Sequence, residues 1–434
     1  MNIVQITPGA GGMYCGNCFR DNALVAELRR QGHQTLMVPL YLPMTLDEAD
    51  QSVGTPIFFN GVRVYLEQKS PFIRNGPAWL HDLIASPTLL KWAAGKAAKT
   101  RAEDVGDLTL SMLRGEEGNQ ARELDELIAW LKTQPKPDVI CLSNAMLAGL
   151  VRKLKRELGA PVAVMLQGED YFLDSLAEPP RAAVWQTLAE RVAEADLLIA
   201  PTRYFADVMT KRLRLPPEKV KVIFNGINLD GYEIEKSEFK IQTPPVLGYF
   251  ARMCEEKGLD TLVTAYLLLR KRDNVKGLKL RIGGGCGPGD ELFVEDLRER
   301  LHEAGVERDV EFHPNLDRDA KLAFLRSLTM FSVPAMYGEA FGLYVIEAMA
   351  AGVPVVQPRT ASFPELIDAT GGGMVCEPGD AASLAVTIEQ LLCTPVLLRA
   401  FCDSGKKAVR EKFSVLRMTS DLIAAFQSIA TRRA

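Results

Sequence analysis

Two glutamates, Glu339 and Glu347, bracket the stretch EAFGLYVIE, and Phe341-Gly342 lies just inside the first. Leu343, Ile346, Met349 and Ala350 recur at helical spacing, which predicts a helix opening near Phe341 and packed on a sheet. Glu347 then sits about 7 Å further along the axis, at 1.5 Å per residue. The amides of Gly342 and Leu343 at such a helix start lack intrahelical acceptors and favour an anion. Gly342 has no side chain to hold a phosphate away. Carboxylates on both sides of an anion-binding turn suit a nucleotide sugar, with Glu339 accepting from the sugar and Glu347 from the ribose. The competing account makes Glu339 a favourable charge at the helix N-terminus and Glu347 part of a solvated face. Both accounts fit the segment taken alone.

Arg252 and Lys257 stand five apart in ARMCEEKG, at the end of one apolar run and the start of a helical pattern. Cations there could clamp a diphosphate and stabilise the charge that grows on a leaving group, or simply cover a strand end. GGGCGPG at 283 to 289 fails the dinucleotide pattern because Pro288 falls where the last glycine belongs, and PGAGGMY fails it too. Asp317-Arg318-Asp319 precedes a helix and reads as a cap in preference to a cation site, so no metal is expected. The four histidines, at 33, 81, 302 and 313, sit in no metal spacing, and there is no G-x-S-x-G elbow. Cys15 and Cys18 form a lone C-x-x-C, read as small residues in a tight loop; redox or zinc chemistry is the lesser alternative.

These residues need a scaffold, and the chain alternates short apolar runs with helical patterns twice over. NIVQIT, TLMVPL, DVICLS, PVAVML, DLLIAP and VKVIFNG form the first series. VLGYFAR, LKLRIGGG, DVEFH, TMFSVP, VPVVQP and GGMVCEP form the second. That pattern predicts an α/β fold of two Rossmann-like, doubly wound parallel sheets, with ligands beyond the carboxyl ends of the strands and a cleft between the domains. The expected boundaries are 1–235, with a helical insertion at about 77–133, then 236–412, and a last helix at 413–434. In the insertion, Trp79, Leu83, Leu89, Leu90, Trp92, Leu108, Met112, Leu124, Leu127 and Trp130 are the expected packing positions. Trp79 and Trp92 with Lys91, Lys96 and Lys99 are read as part of an acceptor-domain cap, and peripheral lipid contact is the lesser alternative.

Composition narrows the partners. Lys plus Arg is 51 against 55 for Asp plus Glu, so the net charge of −4 gives no whole-chain footprint for nucleic acid. No apolar run approaches the roughly 18 residues of a spanning helix, and MNIVQITPGAGG lacks the basic start and apolar core of a signal peptide. A cytoplasmic location is the expectation.

The line SVPAMYGEAFGLYVIEAMAAGVPVV, followed by PEL and GGMVCEPGD, resembles the E-x7-E donor region of retaining GT-B glycosyltransferases, family 4 (group 1) in particular. PGAGG, RRQGH, PTRYFADVM, VIFNGIN, GYFARMCEEKGLD and LRIGGGCGPGD follow in the family's order, and only about 41–135 finds no counterpart. The resemblance implies a hexosyl or related transfer from a UDP- or GDP-sugar to an unknown carbohydrate, lipid or small-molecule acceptor, with no required cofactor. It implies that Arg252 and Lys257 contact the donor diphosphate, that Glu339 orients the sugar, and that Phe341, Gly342, Leu343 and Glu347 bind the donor. Gly11 and Gly12 would approach donor phosphates or acceptor across the cleft, and the last helix would cross back to the first domain. The family commonly carries a His near the donor sugar where this chain has Gln167 in VMLQGEDYF. Gln can hydrogen-bond a hydroxyl but cannot shuttle a proton, so its role would be positioning, with Glu169 or Asp170 as acceptor contacts. A catalytically silent nucleotide-sugar-binding or thiol-sensing protein, or an epimerase or phosphorylase of the same fold, are the alternatives.

Overall fold

Strands buried on both faces must read apolar throughout, and the Val-, Ile- and Leu-rich runs of this chain become such strands. In the computed structural model, residues 1–9, 16–44, 46–59, 102–232 and 243–431 are described. The chain divides into two units. Met1–Pro201, Phe205–Ile223 and Thr419–Ala434 make the first, and Thr202–Tyr204 with Phe224–Met418 make the second.

In the first unit, β1 (Asn2–Thr7) is followed by α1 (Gly16–Arg30) and β2 (Gln34–Pro39). Then come α2 (Ala102–Arg114), α3 (Ala121–Leu131), β3 (Val139–Leu142) and α4 (Val151–Leu158). β4 (Val162–Met165), α5 (Glu169–Ser175), α6 (Pro180–Ala193), β5 (Leu197–Ala200), α7 (Arg203–Leu213) and β6 (Val220–Val222) complete the alternation. The six strands are parallel in the order β2-β1-β3-β4-β5-β6. The order reverses between β1 and β3, so the carboxyl ends of those two strands flank the crevice where such sheets bind ligands.

The described part of the expected insertion is helical, but its buried face differs from expectation. Leu124 and Leu127 are buried as predicted, whereas Leu108 and Met112 are half-exposed and Thr109 and Leu113 turn inward. The cause is a close approach: a Cβ on Gly106 of α2 would lie 2.7 Å from Pro180 Cγ on α6, so the glycine sets the contact line. Trp130 is half-exposed and packs on Phe58, ring centroids 5.3 Å apart. Trp79, Leu83, Leu89, Leu90, Trp92 and the three nearby lysines lie outside the described residues.

The second unit runs β7 (Val246–Phe250), α8 (Leu259–Arg272), β8 (Lys279–Gly284), α9 (Glu291–Glu303), β9 (Val310–Pro314) and α10 (Arg318–Arg326). Its other half is β10 (Met330–Phe331), α11 (Leu343–Ala350), β11 (Val355–Pro358), α12 (Phe363–Thr370), β12 (Gly373–Cys376), α13 (Ala381–Leu392) and α14 (Pro395–Lys412). A last helix, α15, covers Val415–Ala430. All strands are parallel in the order β12-β11-β10-β7-β8-β9, the Rossmann order with its switch point between β7 and β10. Phe224 belongs to this unit because its ring lies 4.9 Å from that of Phe413, and Ile227 hydrogen-bonds the same segment, donating to Phe413 O at 3.0 Å. Among the described residues no single helix is long and apolar enough to cross a membrane.

Candidate functional site

The loops leaving β7 and β10 carry the charged residues singled out in the sequence, and the switch point brings them onto one edge of the sheet. Lys257 stands in a short 3₁₀ turn, Glu255–Lys257, ahead of α8. Gly258 follows it at φ +71°, and a Cβ there would stand 2.0 Å from Pro334 O. That approach presses the turn against the loop after β10, which carries Glu339.

Lys257 Nζ donates to Glu339 Oε2 at 2.6 Å and to the Tyr337 hydroxyl. The Tyr344 hydroxyl donates to the same carboxylate oxygen at 2.9 Å, and Tyr337 at 3.2 Å. The ammonium also lies 4.8 Å and 5.3 Å from the ring centroids of Tyr337 and Tyr344, within cation–π range. Burial alone would push the Glu339 carboxyl up, but the Lys257 charge and the three hydrogen bonds outweigh it and hold the group below its ordinary value. Burial likewise disfavours the Lys257 ammonium, and Glu339 with Tyr337 outweighs that, raising it above the ordinary lysine value. Glu339 is therefore a carboxylate at neutral pH. Its Oε1 accepts from no described residue, and Lys257 has three hydrogens to give and two named partners.

Gly342 precedes α11 at φ +86° and ψ 69°, a left-handed conformation that glycine adopts without strain. Its carbonyl accepts from Val345 N at 3.0 Å, while its own amide and that of Leu343 find no acceptor among the described residues. A Cβ on Gly342 would stand 3.2 Å from Phe363 Cε1. Leu343 is half-exposed. The side chain of Phe341, expected at the donor, instead points into the core: it is 3% exposed, with its ring 6.1 Å from that of Phe413. Only the backbone of Phe341 remains for a ligand, because the apolar ring is worth more buried.

Arg252 leaves β7 with its guanidinium largely exposed. Its Nη2 donates to Asp290 Oδ1 at 2.8 Å and its Nε bridges both Asp290 oxygens at 3.1 Å. Asp290 is 6% exposed and takes the Gly287 amide as well. This fork uses one edge of the guanidinium; Nη1 has no partner among the described residues. The GGGCGPG loop is the frame that carries Asp290. Gly284, at φ +119°, brings it so close to β7 that a Cβ would lie 1.9 Å from Ala251 O. Asn315 pins the loop through two 3.0 Å bonds with the Cys286 backbone.

Glu347, on α11, does not sit on a solvated face. Its Oε1 lies 3.0 Å from Lys321 Nζ, with the side chains 15% and 5% exposed. Asp317 caps α10, its Oδ1 accepting from Ala320 N at 2.9 Å, which accounts for the D-x-D string as a helix start.

In the first unit Gln167 follows β4 and is half-exposed. Glu169, expected as an acceptor contact, is turned inward: its two oxygens accept from Ala145 N at 2.7 Å and Gln167 N at 2.8 Å, and burial raises its carboxyl above the ordinary value. It clamps the loops after β3 and β4 to each other. Asp170 is half-buried, with its carboxyl also raised by burial, and its Oδ1 has no partner among the described residues. Gly11, Gly12 and Cys15 lie outside the described residues, and Cys18 is fully buried. Tyr337, Tyr344, Asp290 and Lys321 carry the site's internal bonds and were not singled out from sequence. Tyr337 and Tyr344, two residues before and five after Glu339, offered the local signals.

Comparison with known proteins gives the chain's relatives. Residues 232–408 match the model for glycosyl transferases group 1, and residues 106–230 match that for Glycosyltransferase Family 4. Over these two stretches the chain is similar to glycosyltransferases of family 4. Among its relatives, an uncharacterized glycosyltransferase of Methanocaldococcus jannaschii is 31% identical over 209 residues, 46% of this chain and 51% of that one. The phosphatidyl-myo-inositol mannosyltransferase of Mycobacterium leprae is 32% identical over 213 residues, 48% and 53% of the two chains. The chain thus spans about half the length of the curated relatives it matches. Among solved structures, Anabaena HepE, crystallised with UDP, superposes with a TM-score of 0.67 at 15% identity over 99% of this chain and 100% of that one. Sucrose-phosphate synthase of Thermosynechococcus elongatus superposes with 0.73 at 16% identity over 99% of each. The chain shares their GT-B fold of two Rossmann-like units.

Proposed function

We propose that the protein transfers a sugar from a nucleoside diphosphate sugar to an acceptor hydroxyl with retention at the anomeric carbon. The observation that carries this reading is the cluster at the β7–β10 switch point: an ionised Glu339 held by three donors, Lys257 with a hydrogen to spare, and the unengaged amides of Gly342 and Leu343. The amides, Lys257 and the Arg252 Nη1 edge suit a diphosphate that gains charge as the glycosidic bond breaks, when preorganised donors have their largest effect. Glu339 Oε1 would accept from a sugar hydroxyl and orient the ring. Glu347 Oε2 would accept from the ribose.

A carboxylate held ionised by a lysine cannot give up a proton at neutral pH, so Glu339 is no general acid. No protein nucleophile is part of this reading: the bond from the anomeric carbon to phosphate oxygen breaks, the acceptor oxygen bonds on the same face, and the departing phosphate takes the acceptor proton. Gln167 and Asp170 are assigned to positioning of sugar or acceptor. Because relatives carry names such as D-inositol 3-phosphate glycosyltransferase and phosphatidyl-myo-inositol mannosyltransferase, inositol phosphates and phosphatidylinositol belong in the acceptor panel.

The test uses radiolabelled UDP- and GDP-sugars with that panel, following transfer and slow donor hydrolysis, beside calorimetric titration of UDP and GDP. Transfer that Arg252→Ala and Lys257→Ala each abolish is expected. Tight nucleotide binding without turnover would favour a catalytically silent binding protein, and absence of binding to either nucleotide would overturn the proposal.

A further inference from the structure

Lys321 presents an unexplained arrangement. It lies on α10 and is 4% exposed, on a helix whose Leu322, Phe324 and Leu325 are buried as well. Lysines are almost never this buried unless paired, and its Nζ lies 3.0 Å from Glu347 Oε1 on α11. Stability alone does not call for such a pair. Replacing a buried ion pair with apolar residues of similar volume is often neutral or stabilising, because desolvating two charges offsets their attraction. An apolar residue at 321, continuing the apolar face of α10, would have met the packing requirement.

What the pair does achieve is a fixed carboxylate. With Oε1 on the ammonium, the Glu347 side chain loses its freedom to rotate, and Oε2, which accepts from no described residue, is held in one direction. A carboxylate fixed on one oxygen and open on the other suits a donor pair of set spacing. The cis-diol of a ribose is such a pair.

We propose that Lys321 is a positioning residue that aims the Glu347 carboxylate so that the site distinguishes ribose from 2′-deoxyribose in a nucleoside diphosphate. The inference rests on the reading of Glu347 as the ribose acceptor and adds what sets its specificity. Lys321 does not touch the nucleotide; it acts through Glu347. A site built to receive a hydroxyl discriminates strongly against the analogue that lacks it, because its own polar group is left unpaired.

The experiment titrates UDP and 2′-deoxy-UDP, and GDP and 2′-deoxy-GDP, into the full chain and into E347Q, K321M and E347Q/K321M. The readout is the ribo-to-deoxy affinity ratio, which a general loss of folded protein does not move. For the preferred base, the wild type is expected to favour the ribonucleotide about tenfold or more, the size of one hydrogen bond to a charged group. E347Q and K321M should both bring the ratio close to one, and E347Q/K321M should match E347Q. A K321M ratio equal to wild type, with E347Q near one, overturns the positioning role and leaves the ribose reading intact. A wild-type ratio near one, or an E347Q ratio equal to a discriminating wild type, overturns the ribose reading itself. Should K321M be too unstable to titrate, K321R decides, since it keeps the charge but shifts the donor atoms that face Glu347: a ratio well below wild type supports the positioning role, and a ratio equal to wild type overturns it.

Discussion

Replacing Lys257 with Met should reverse the pH dependence of the charge cluster. In the wild type the Lys257 and Glu339 side chains are 18% and 15% exposed and 2.6 Å apart. Glu339 titrates below its unfolded value, so its stabilisation is complete above about pH 4.3 and is lost as pH falls through the folded pKa. Lys257 titrates above its unfolded value, so its stabilisation is complete below about pH 10.4 and is lost as pH rises through the folded pKa. Between about pH 5 and 9 the pair therefore contributes a constant amount. Without Lys257, burial dominates and pushes Glu339 above its unfolded value, so its contribution is lost as pH rises. Removing one partner of a buried pair costs about 3–5 kcal/mol, and the low end applies because both tyrosine hydroxyls remain. For a unit of this size about 3 kcal/mol lowers Tm by roughly 6–12 °C. Scanning calorimetry of the full chain from pH 4.5 to 8 should show a deficit that widens with pH. A deficit that is constant with pH, or that shrinks as pH rises, would refute the reasoning.

Three further outcomes follow from the geometry. Gly342→Ala forces a left-handed conformation and a 3.2 Å contact with Phe363, so stability should fall by about 1 kcal/mol while UDP or GDP affinity falls more, as read by calorimetry. Asp290→Asn removes the charge that aligns the exposed Arg252 fork, and nucleotide Kd should rise about two- to fivefold, an effect that salt diminishes. Asp317→Ala removes the cap on Ala320 N; denaturant unfolding should show a loss of about 0.5–2 kcal/mol, with nucleotide affinity unchanged.

The strands were legible because each is a short apolar run between helical patterns, and the second unit's strand order places Arg252 and Glu339 at its switch point. Glu339, Gly342 and Lys257 were legible from type and spacing around a helix start. Their counter-groups were not. Lys321 stands 26 residues from Glu347 and Asp290 stands 38 from Arg252, and no local periodicity links residues on different elements. For Phe341, adjacency to Gly342 says nothing about whether the ring faces ligand or core, and the ring is buried. The burial of Glu169 was hidden for a related reason: an acidic pair after a strand looks solvent-facing until the neighbouring loop supplies an amide. The face of α2 escaped because Gly106, with no side chain, adds nothing to an apolar count yet fixes where the helix touches Pro180.

The grip on Glu339 bears on how tightly the site can hold anything. Three donors converge on Oε2, so the acid's torsions are already frozen by its own neighbours before a partner arrives. Ordering a long side chain at an interface ordinarily consumes about 0.5–1.5 kcal/mol of the available attraction. Here that entropic toll falls on folding, and each contact made to Oε1 can appear almost undiminished as affinity.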